Sequence, residues 1–341
     1  MEVYILNSSS PMYEDFIQQS ENVRLCHTFA WKDMVEKAFG YKGYNLVACE
    51  NDQTCGIFPL THVRSRFFGN RLVSQPFSDY GGPVTSNATA LEMLYKRSVE
   101  IASQCRCQTM ELRNTVPLPY ELHMRTDKIS MYLPLAPEPQ EVWKELRHKT
   151  RNRIRKAQRE GIIVTSGARE LLKEFYRIWT IRMRELGTPC YPIKLFRCIL
   201  DTFHGAARIF LATLNGKTIA VLFIYTFKDW VQCSWGAALR GYDSLGPNYA
   251  LNWSAIEYYC QNNMKWFDFG RSTVDSGQHI FKQRWGARPI NLCWQYWSPP
   301  GYKLSIANPN NPKYKSRIRT WKKLPLSITR LVGPCISRSL P

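Results

Sequence analysis

The stretch LATLNGKTIAVLFI, from Leu211 to Ile224, places two apolar runs on either side of a short polar turn. Asn215-Gly216 occupies the turn, and Asn-Gly between apolar runs is a strong local signal for a tight β-hairpin. The stretch therefore predicts two neighbouring antiparallel strands.

A second stretch of the chain has the same pattern. VACENDQTCGIFPL, from Val47 to Leu60, precedes the first stretch by 164 residues and has Asn51-Asp52 in its turn. The same offset places Gly82-Pro83 on Gly246-Pro247. Several matches in the same order predict an internal repeat rather than a chance similarity.

Each copy continues with a helical segment and then a short apolar strand that ends in arginine. The first copy has a helix over 91–103 and ends at Arg113; the second has a helix over 249–262 and ends at Arg271. Helix, antiparallel meander, helix and strand in this order predict an α/β unit. We expect domains at 1–135 and 136–297, followed by a basic amphipathic tail at 298–341.

The composition indicates a folded, cationic protein. The net charge is +19, and twelve Lys or Arg but no Asp or Glu follow Asp275. This imbalance predicts an anionic partner, which could be RNA, phospholipid or a phosphorylated substrate. The eleven Cys lack a CxxC pair or any framework spacing, so we expect reduced thiols and no structural metal. The N-terminal stretch MEVYILNSSSPMYEDF has neither a basic nor an apolar segment of the kind that opens a signal peptide, so we expect a cytoplasmic protein.

The segment HKTRNRIRKAQREGIIV, from His148 to Val164, gathers six Lys or Arg in its first twelve residues. Apolar residues at three- and four-residue spacing from Trp143 to Ala157 predict an amphipathic helix that opens the second domain, with Gly161 as its C-terminal cap. The basic residues are either a solvated face or a contact for a polyanion. Like charges at i,i+4 oppose helix formation, which favours the polyanion contact.

Four stretches together carry a family resemblance: LRHKTRNRIRKAQREGIIV, GPNYALNW, FDFGRSTVDSGQHIFKQRWGA and VSQPFSDYGGP. With the repeat they span about residues 25 to 297, and in these the chain resembles the FemA/FemB-like aminoacyl and acyl transferases. It looks most similar to the FemAB-related branch associated with exopolysaccharide and PEP-CTERM protein sorting. The resemblance implies two tandem GNAT (acyl-CoA N-acyltransferase-like) domains, each a mixed, mostly antiparallel sheet flanked by helices.

The resemblance also implies an activity. It predicts an N-acyltransferase that moves an acyl or aminoacyl group from aminoacyl-tRNA or acyl-CoA, a substrate rather than a resident cofactor, to an amine on a cell-envelope, peptidoglycan or exopolysaccharide precursor. The pyrophosphate loop of acetyl-CoA enzymes, Q/R-x-x-G-x-G/A, does not match RGYDSLGPN at Arg240–Asn248. Two alternatives are a non-catalytic RNA- or polyanion-binding protein on the same fold and an acetyl-CoA-dependent N-acetyltransferase of a small metabolite.

Three residues are the catalytic candidates. Phe281-Lys282 matches a Phe-Lys pair that the resemblance places at the reaction centre, where Lys282 would stabilise the carbonyl oxyanion. Asp79 could accept the proton of the acceptor amine, or it could be an ordinary turn residue before glycines. Lys282 could likewise be one of several surface cations.

The binding candidates form two groups. Those predicted to bind the donor are Lys149, Arg151, Arg155, Lys156, Asn248 and Arg271. Those predicted to bind the acceptor are Tyr80, Gly81, Arg113 and Asp268. For Asn248 the alternative is a cap of the following helix, and for Arg271 it is an ion pair with Asp268 or Asp275.

The C-terminal segment combines cations with apolar residues. From Pro312 it holds eight Lys or Arg together with Trp321, Leu324, Ile328 and Leu331. Such a composition suits contact with an anionic membrane surface, and the alternative is a solvated tail. We therefore expect a saccharide, peptide or lipid-linked acceptor, no specific DNA partner, and a cytoplasmic protein peripheral to the inner membrane.

Overall fold

The computed structural model describes residues 1–65, 69–304 and 312–338. In this part of the chain the strands are β1 (Glu2–Leu6), β2 (Lys42–Glu50), β3 (Gln53–Ser65), β4 (Gly69–Val73), β5 (Val84–Thr85), β6 (Thr109–Asn114), β7 (His123–Arg125), β8 (Lys128–Pro134), β9 (Ile163–Gly167), β10 (Ala207–Leu214), β11 (Lys217–Phe227), β12 (Trp230–Ala238), β13 (Trp266–Thr273), β14 (Arg288–Asn291) and β15 (Cys293–Trp297). The helices are α1 (Pro11–Gln19), α2 (Phe29–Phe39), α3 (Ala88–Gln104), α4 (Pro139–Glu145), α5 (His148–Arg159), α6 (Leu172–Leu186), α7 (Ile193–Thr202), α8 (Pro247–Gln261), α9 (Gly277–Gln283), α10 (Pro312–Lys323) and α11 (Leu326–Ser337).

These elements form two compact units. Met1–Lys128 and the segment that begins at Asn291 and contains β15 form the first unit; Ile129–Ile290 with α10 and α11 form the second. This division differs from the boundaries that the sequence suggested at residues 135 and 297. The chain enters the second unit at β8, and it is already back in the first unit at β15.

Each unit contains one mixed sheet. The first has the order β1-β2-β3-β4-β6-β15-β7, with β5 paired to β3, and the second has the order β14-β8-β13-β12-β11-β10-β9. Within each sheet a meander of antiparallel strands is followed by a parallel pair, β4 with β6 in the first unit and β12 with β13 in the second. The predicted fold of two tandem units with mixed sheets and flanking helices is confirmed.

The two hairpins that revealed the repeat have the same backbone geometry. Asn51 and Asp52 have φ of 48° and 60°, and Asn215 and Gly216 have φ of 50° and 75°. Positive φ at both central residues is the two-residue hairpin turn that matches strand twist. The pairing register shifts after Ala48 in one hairpin and after Ala212, its counterpart 164 residues later, in the other. The repeat therefore extends to a shared bulge.

Helices cover both faces of the sheet in the second unit. On one face α5 and α8 join a core that includes Ile154, Phe210 and Trp253. On the other face α6 and α7 contribute an aromatic cluster in which Phe196 contacts Trp179, Phe223 and Trp235 with ring centroids 5.0 to 5.4 Å apart. Buried apolar faces of helices and strands provide the main driving force for this layering.

The predicted basic helix is present but is interrupted. Leu146 and Arg147 have extended ψ values of 138° and 140°, so α4 ends before them and α5 begins after them. The break turns Leu146 into the core, where it is almost fully buried. Gly161, with φ of 80°, follows the end of α5 as expected for a left-handed C-terminal cap.

Candidate functional site

The parallel pair in the second unit opens into a gap. β12 pairs with β13 through Gln232 and Asp268, and the paired register ends there although both strands continue. β12 also contains a bulge at Ser234, because Ile224 pairs with Cys233 and Phe223 with Trp235. Beyond Gln232 and Asp268 the two strands therefore no longer pair with each other in the middle of the sheet.

Lys282 lies beside this gap. Its ammonium donates to the carbonyl oxygens of Gly270 at 2.6 Å and Arg271 at 3.1 Å, both in the diverging part of β13. Only 8% of Lys282 is exposed. The side chain is thus a fixed, largely buried cation at the opening of the sheet, rather than one of the surface cations that the sequence also allowed.

Asp268 and Cys233 lie close to Lys282. The carboxylate of Asp268 accepts from the Ser130 hydroxyl at 2.6 Å and from the Gly270 amide at 2.7 Å. Burial raises the pKa of the Cys233 thiol to about 12; Lys282 opposes this rise and Asp268 adds to it. Because the thiol stays protonated, it is not suited to attack an acyl donor as a thiolate.

An aromatic cluster holds the end of α9 in place. Trp285 is fully buried and stacks on Tyr249, with ring centroids 5.8 Å apart. Phe281 contacts both rings, at 5.1 Å from Tyr249 and 6.1 Å from Trp285. Phe281 therefore packs into this cluster next to Lys282, and its role in lining a channel stays a prediction.

The basic helix is attached to the same segment. The Thr150 hydroxyl of α5 donates to the carbonyl of Arg284 at 2.7 Å, just beyond the end of α9. Arg151 donates to the carbonyl of Lys144 at 3.2 Å and is half-buried, whereas Lys149 is exposed and Lys156 is half-exposed. The structure thus brings the predicted donor-binding helix next to the Phe281-Lys282 segment.

Arg155 is the most accessible of the arginines predicted to bind the donor on this helix. Its guanidinium lies 5.4 Å from the centre of the Trp143 ring, and its side chain is exposed. With Asn152, Gln158 and Arg159 it lines a shallow surface depression. This depression is cationic and open, which suits an extended polyanion better than a small neutral molecule.

Two further donor-binding candidates have different surroundings. Arg271 is exposed at the end of β13. Asn248 is the second residue of α8, and Gly246, with φ of 78°, occupies the capping position without a side-chain cap. The interpretation of Asn248 as a helix cap is therefore wrong. The capping position is Gly246, whose left-handed backbone favours glycine, and Asn248 already lies inside the helix.

Two acceptor candidates of the first unit, Tyr80 and Gly81, belong to a tightly bonded loop that lies against Arg113 of β6. The amide of Gly82 donates to the Arg113 carbonyl at 3.0 Å, and the Trp294 indole donates to the Asp79 carbonyl at 3.1 Å. Tyr80 is buried, and a side chain at Gly81, with φ of 134°, would lie 2.5 Å from the Ser74 carbonyl. Asp268, the fourth candidate, belongs to the second unit.

Arg113 is committed to contacts within this loop. It forms an ion pair with Glu111 at 2.7 Å and donates to the carbonyls of Gln75 and Ser78. Its guanidinium also lies 4.5 Å from the centre of the Trp294 ring. With 2% of its surface exposed, Arg113 holds the loop against β6 and presents little surface to a ligand.

His27 supports the same loop from the other side and predicts a pH dependence. Its Nδ1 accepts from the Arg24 amide at 3.0 Å, so Nε2 carries the proton and donates to the Gly82 carbonyl at 3.0 Å. Burial lowers the pKa of His27 to about 4, from 6.5 in an exposed chain. The unfolded chain therefore takes up a proton first as the pH falls.

We expect the folded first unit to lose about 2 to 3 kcal/mol through His27 between pH 7.5 and pH 4.5. Urea unfolding of wild type and His27→Gln at both pH values measures this loss. The variant, which cannot titrate at this position, should lose correspondingly less stability than wild type over the same interval. Equal losses in the two proteins would contradict the prediction.

Several residues of the site had no signal in the sequence. Ser130 lies 138 residues from its partner Asp268, and the Thr150 hydroxyl is 134 residues from the Arg284 carbonyl. Cys233 looked like an ordinary apolar strand residue. Trp285 is the exception, because a tryptophan three residues after Lys282 could have been recognised as an anchor for that segment.

Three features are absent from the described residues. Across 1–65, 69–304 and 312–338, no three or more His, Cys, Asp or Glu residues are grouped so that they could hold a metal ion. None of the eleven cysteines forms a disulfide. The helices of these same ranges include none with the length and apolar character needed to cross a membrane.

Comparison with known proteins identifies the domain around this site. Residues 144–283, which include α5, the β12–β13 gap and Lys282, match the family described as "Acetyltransferase (GNAT) domain". Among the curated proteins, none matches.

Solved structures extend the likeness to the whole chain. FemX is similar with a TM-score of 0.67 and 15% identity, over 93% of this chain and 99% of that one. A tandem GNAT protein from the clavulanic acid biosynthesis pathway has a TM-score of 0.55 at 10% identity, over 89% and 99% of the two chains. L-PGS from Bacillus licheniformis has a TM-score of 0.53 at 13% identity, over 95% and 97%. At these identities the likeness shows the fold.

Fold and domain together define the class of the protein. The chain has the tandem GNAT architecture and carries a GNAT acetyltransferase domain, so the prediction that it is an acyltransferase enzyme is confirmed. Such an enzyme uses its acyl donor as a substrate and not as a permanently bound cofactor.

Proposed function

We propose that the protein transfers an acyl or aminoacyl group from an activated ester or thioester to an amine on a cell-envelope or exopolysaccharide precursor. The observation that carries the proposal is the fixed ammonium of Lys282 beside the β12–β13 gap, within the GNAT domain. The acceptor class is supported by the sequence resemblance to the exopolysaccharide-associated branch of the FemAB-like transferases.

In the proposed reaction the acceptor nitrogen attacks the carbonyl carbon of the donor. A C–N bond forms, the C–O or C–S bond to the carrier breaks, and the proton lost by the amine ends on the departing oxygen or sulfur. Negative charge builds on the carbonyl oxygen after the nitrogen has attacked and before the bond to the carrier has broken. A preorganised cation in a largely buried position stabilises that charge without having to reorganise, and Lys282 would supply it. Asp79 stays a prediction for the proton acceptor.

The proposed donor site follows α5. Arg155 and Arg159 are exposed cations around one depression, and Lys149 is exposed on the same helix. Phosphate groups of a tRNA or of coenzyme A are suitable ligands for such a row. We favour aminoacyl-tRNA, because the depression is open and the loop over 240–248 lacks the acetyl-CoA pattern.

Donor binding by the purified protein tests the proposal. The ligands are aminoacyl-tRNA, uncharged tRNA, acetyl-CoA and a long-chain acyl-CoA, each at two salt concentrations. Arg155→Gln/Arg159→Gln should weaken binding of the true donor and lower the salt slope by about one unit or more. Lys194→Gln/Arg197→Gln, which removes two exposed cations from α7, is the matched control and should change little.

The two alternatives predict different outcomes. Equal, salt-sensitive binding of every polyanion would favour a non-catalytic RNA-binding protein. Tight binding of acetyl-CoA, insensitive to the arginine substitutions, would favour an acetyltransferase of a small metabolite.

The proposed location is the cytoplasmic face of the inner membrane, where lipid-linked precursors are accessible. Its support is the cationic C-terminal part of the sequence, which lacks any acidic residue after Asp275.

A further inference from the structure

The last helix of the chain, α11, buries small and polar residues and exposes several of its apolar ones. Its small and polar residues, Thr329, Gly333 and Ser337, are buried, whereas Ile328, Leu331 and Val332 are exposed. Leu331 is 77% exposed, more than any other large hydrophobic residue in the described part of the chain. A surface helix normally buries its apolar face, so α11 presents the opposite side from the usual one.

The buried side of α11 is held firmly to the second unit. The Ser337 hydroxyl donates to the Cys190 carbonyl at 2.8 Å, and Arg330 donates to the Thr180 hydroxyl at 2.9 Å. A side chain at Gly333 would lie 2.8 Å from the Cys190 sulfur, so the helix approaches closely there. The outward orientation is therefore fixed by specific contacts and does not result from a detached tail.

The exposed apolar residues form one continuous face. Ile328, Leu331, Val332 and Cys335 follow at spacings of three, four and seven residues, which places them on one side of a helix. All four are exposed.

Exposed cations lie close to this face in the sequence. The basic residues of α10 and of the end of α11 that reach solvent are Lys315, Arg317, Arg319, Lys322, Lys323 and Arg338. α10 also lies against α6, where a side chain at Gly187 would meet Ile318 at 2.5 Å. No Asp or Glu follows Asp275 in the sequence.

We propose that the outward face of α11 inserts into an anionic lipid bilayer, with the cations of α10 and α11 contacting the lipid headgroups. Exposed apolar residues on a helix together with exposed Lys and Arg are the combination that binds membrane interfaces. The charge selects an anionic surface, and the apolar residues enter the headgroup boundary. This inference gives the proposed peripheral location a defined docking face, and it does not depend on the transfer reaction.

Vesicle flotation tests the docking face. Phosphatidylcholine vesicles with added phosphatidylglycerol should carry the wild-type protein, and phosphatidylcholine alone should carry much less. Leu331→Ser should weaken vesicle binding about tenfold, because the variant loses the free energy of transferring one leucine side chain from water into the bilayer. Lys322→Gln/Lys323→Gln should weaken it by a similar factor and flatten its dependence on salt.

Val116→Ser is the matched control, since Val116 is 70% exposed in the first unit and should leave vesicle binding unchanged. Leu331 makes too little buried contact for its loss to unfold the protein, and an unchanged thermal midpoint checks this. Wild-type binding that Leu331→Ser does not weaken, or no binding to anionic vesicles at all, would overturn the proposal.

A second copy of the chain is the other possible occupant of this face. Sedimentation could show that the wild-type protein is a dimer, that Leu331→Ser dissociates it, and that the wild type does not bind vesicles. That result would mean that this face mediates self-association and not membrane binding. Donor binding is measured on the same proteins. Absence of vesicle binding with intact donor binding would contradict only the proposed docking face. Vesicle binding without donor binding would contradict only the proposed activity.

Discussion

Replacing Lys282 by methionine is expected to lower the rate of acyl transfer about 10²- to 10³-fold, with donor affinity changed only a few-fold. Methionine matches the length of the buried stem but removes the charge beside the β12–β13 gap. Single-turnover rates with the donor identified by binding measure the effect. Lys265→Met, at an exposed ion pair with Asp229, is the control and should keep the full rate.

A structural role for Lys282 is distinguishable from a role in transfer. Removing the ammonium that donates hydrogen bonds to two backbone carbonyls costs about 1 to 3 kcal/mol of stability. The unfolding midpoint reports this loss separately from the transfer rate. Lys282→Arg keeps the charge and should recover part of the rate. A folded Lys282→Met protein that transfers at the wild-type rate would rule out the assigned role.

Arg113→Met is expected to destabilise the first unit by about 3 to 5 kcal/mol. The substitution leaves the Glu111 carboxylate in the interior without its partner and frees the loop carbonyls of Gln75 and Ser78. Urea unfolding measures the loss. Arg97→Met breaks a comparable pair with Glu100, but at the surface of α3, and should cost no more than about 1 kcal/mol. Similar losses in the two variants would contradict the prediction.

This expected result also changes the interpretation of Arg113. The sequence placed it at the end of a strand in a position equivalent to Arg271, and both were predicted to bind ligands. In the structure Arg271 is exposed, whereas Arg113 fills the interior of its own unit. The two copies of the repeat have thus diverged at this position. Arg113 stabilises the interior of its own unit, whereas Arg271 faces solvent.

The fold was largely predictable because its signals are local. The hairpins at Asn51-Asp52 and Asn215-Gly216 depend on turn residues adjacent in the sequence, and the buried side of α5 follows from helical spacing. The break between α4 and α5 was missed because Leu146 satisfies the helical pattern equally well whether the helix continues or stops.

The site was predictable only in part. Phe281-Lys282 was found from the family resemblance and the basic helix from its charge and helical spacing, and the Thr150–Arg284 contact now joins them. The surroundings of Lys282 were not found, since Ser130, Cys233 and Asp268 come together through sheet order and not through spacing. Ser130 and Asp268 are 138 residues apart, and contacts between different strands leave no periodic signal in the sequence.

The placement of β15 has a consequence for how the protein is made. This strand lies between β6 and β7 in the first sheet, and its Gln295 bonds to Asn114 across 181 residues of chain. During synthesis the ribosome must translate that interval before the first sheet can close, a delay on the order of 10 to 40 s. Until then β6 offers an open edge to other nascent chains. The first sheet thus stays incomplete until Trp297 has been made, long after its other strands have been synthesised.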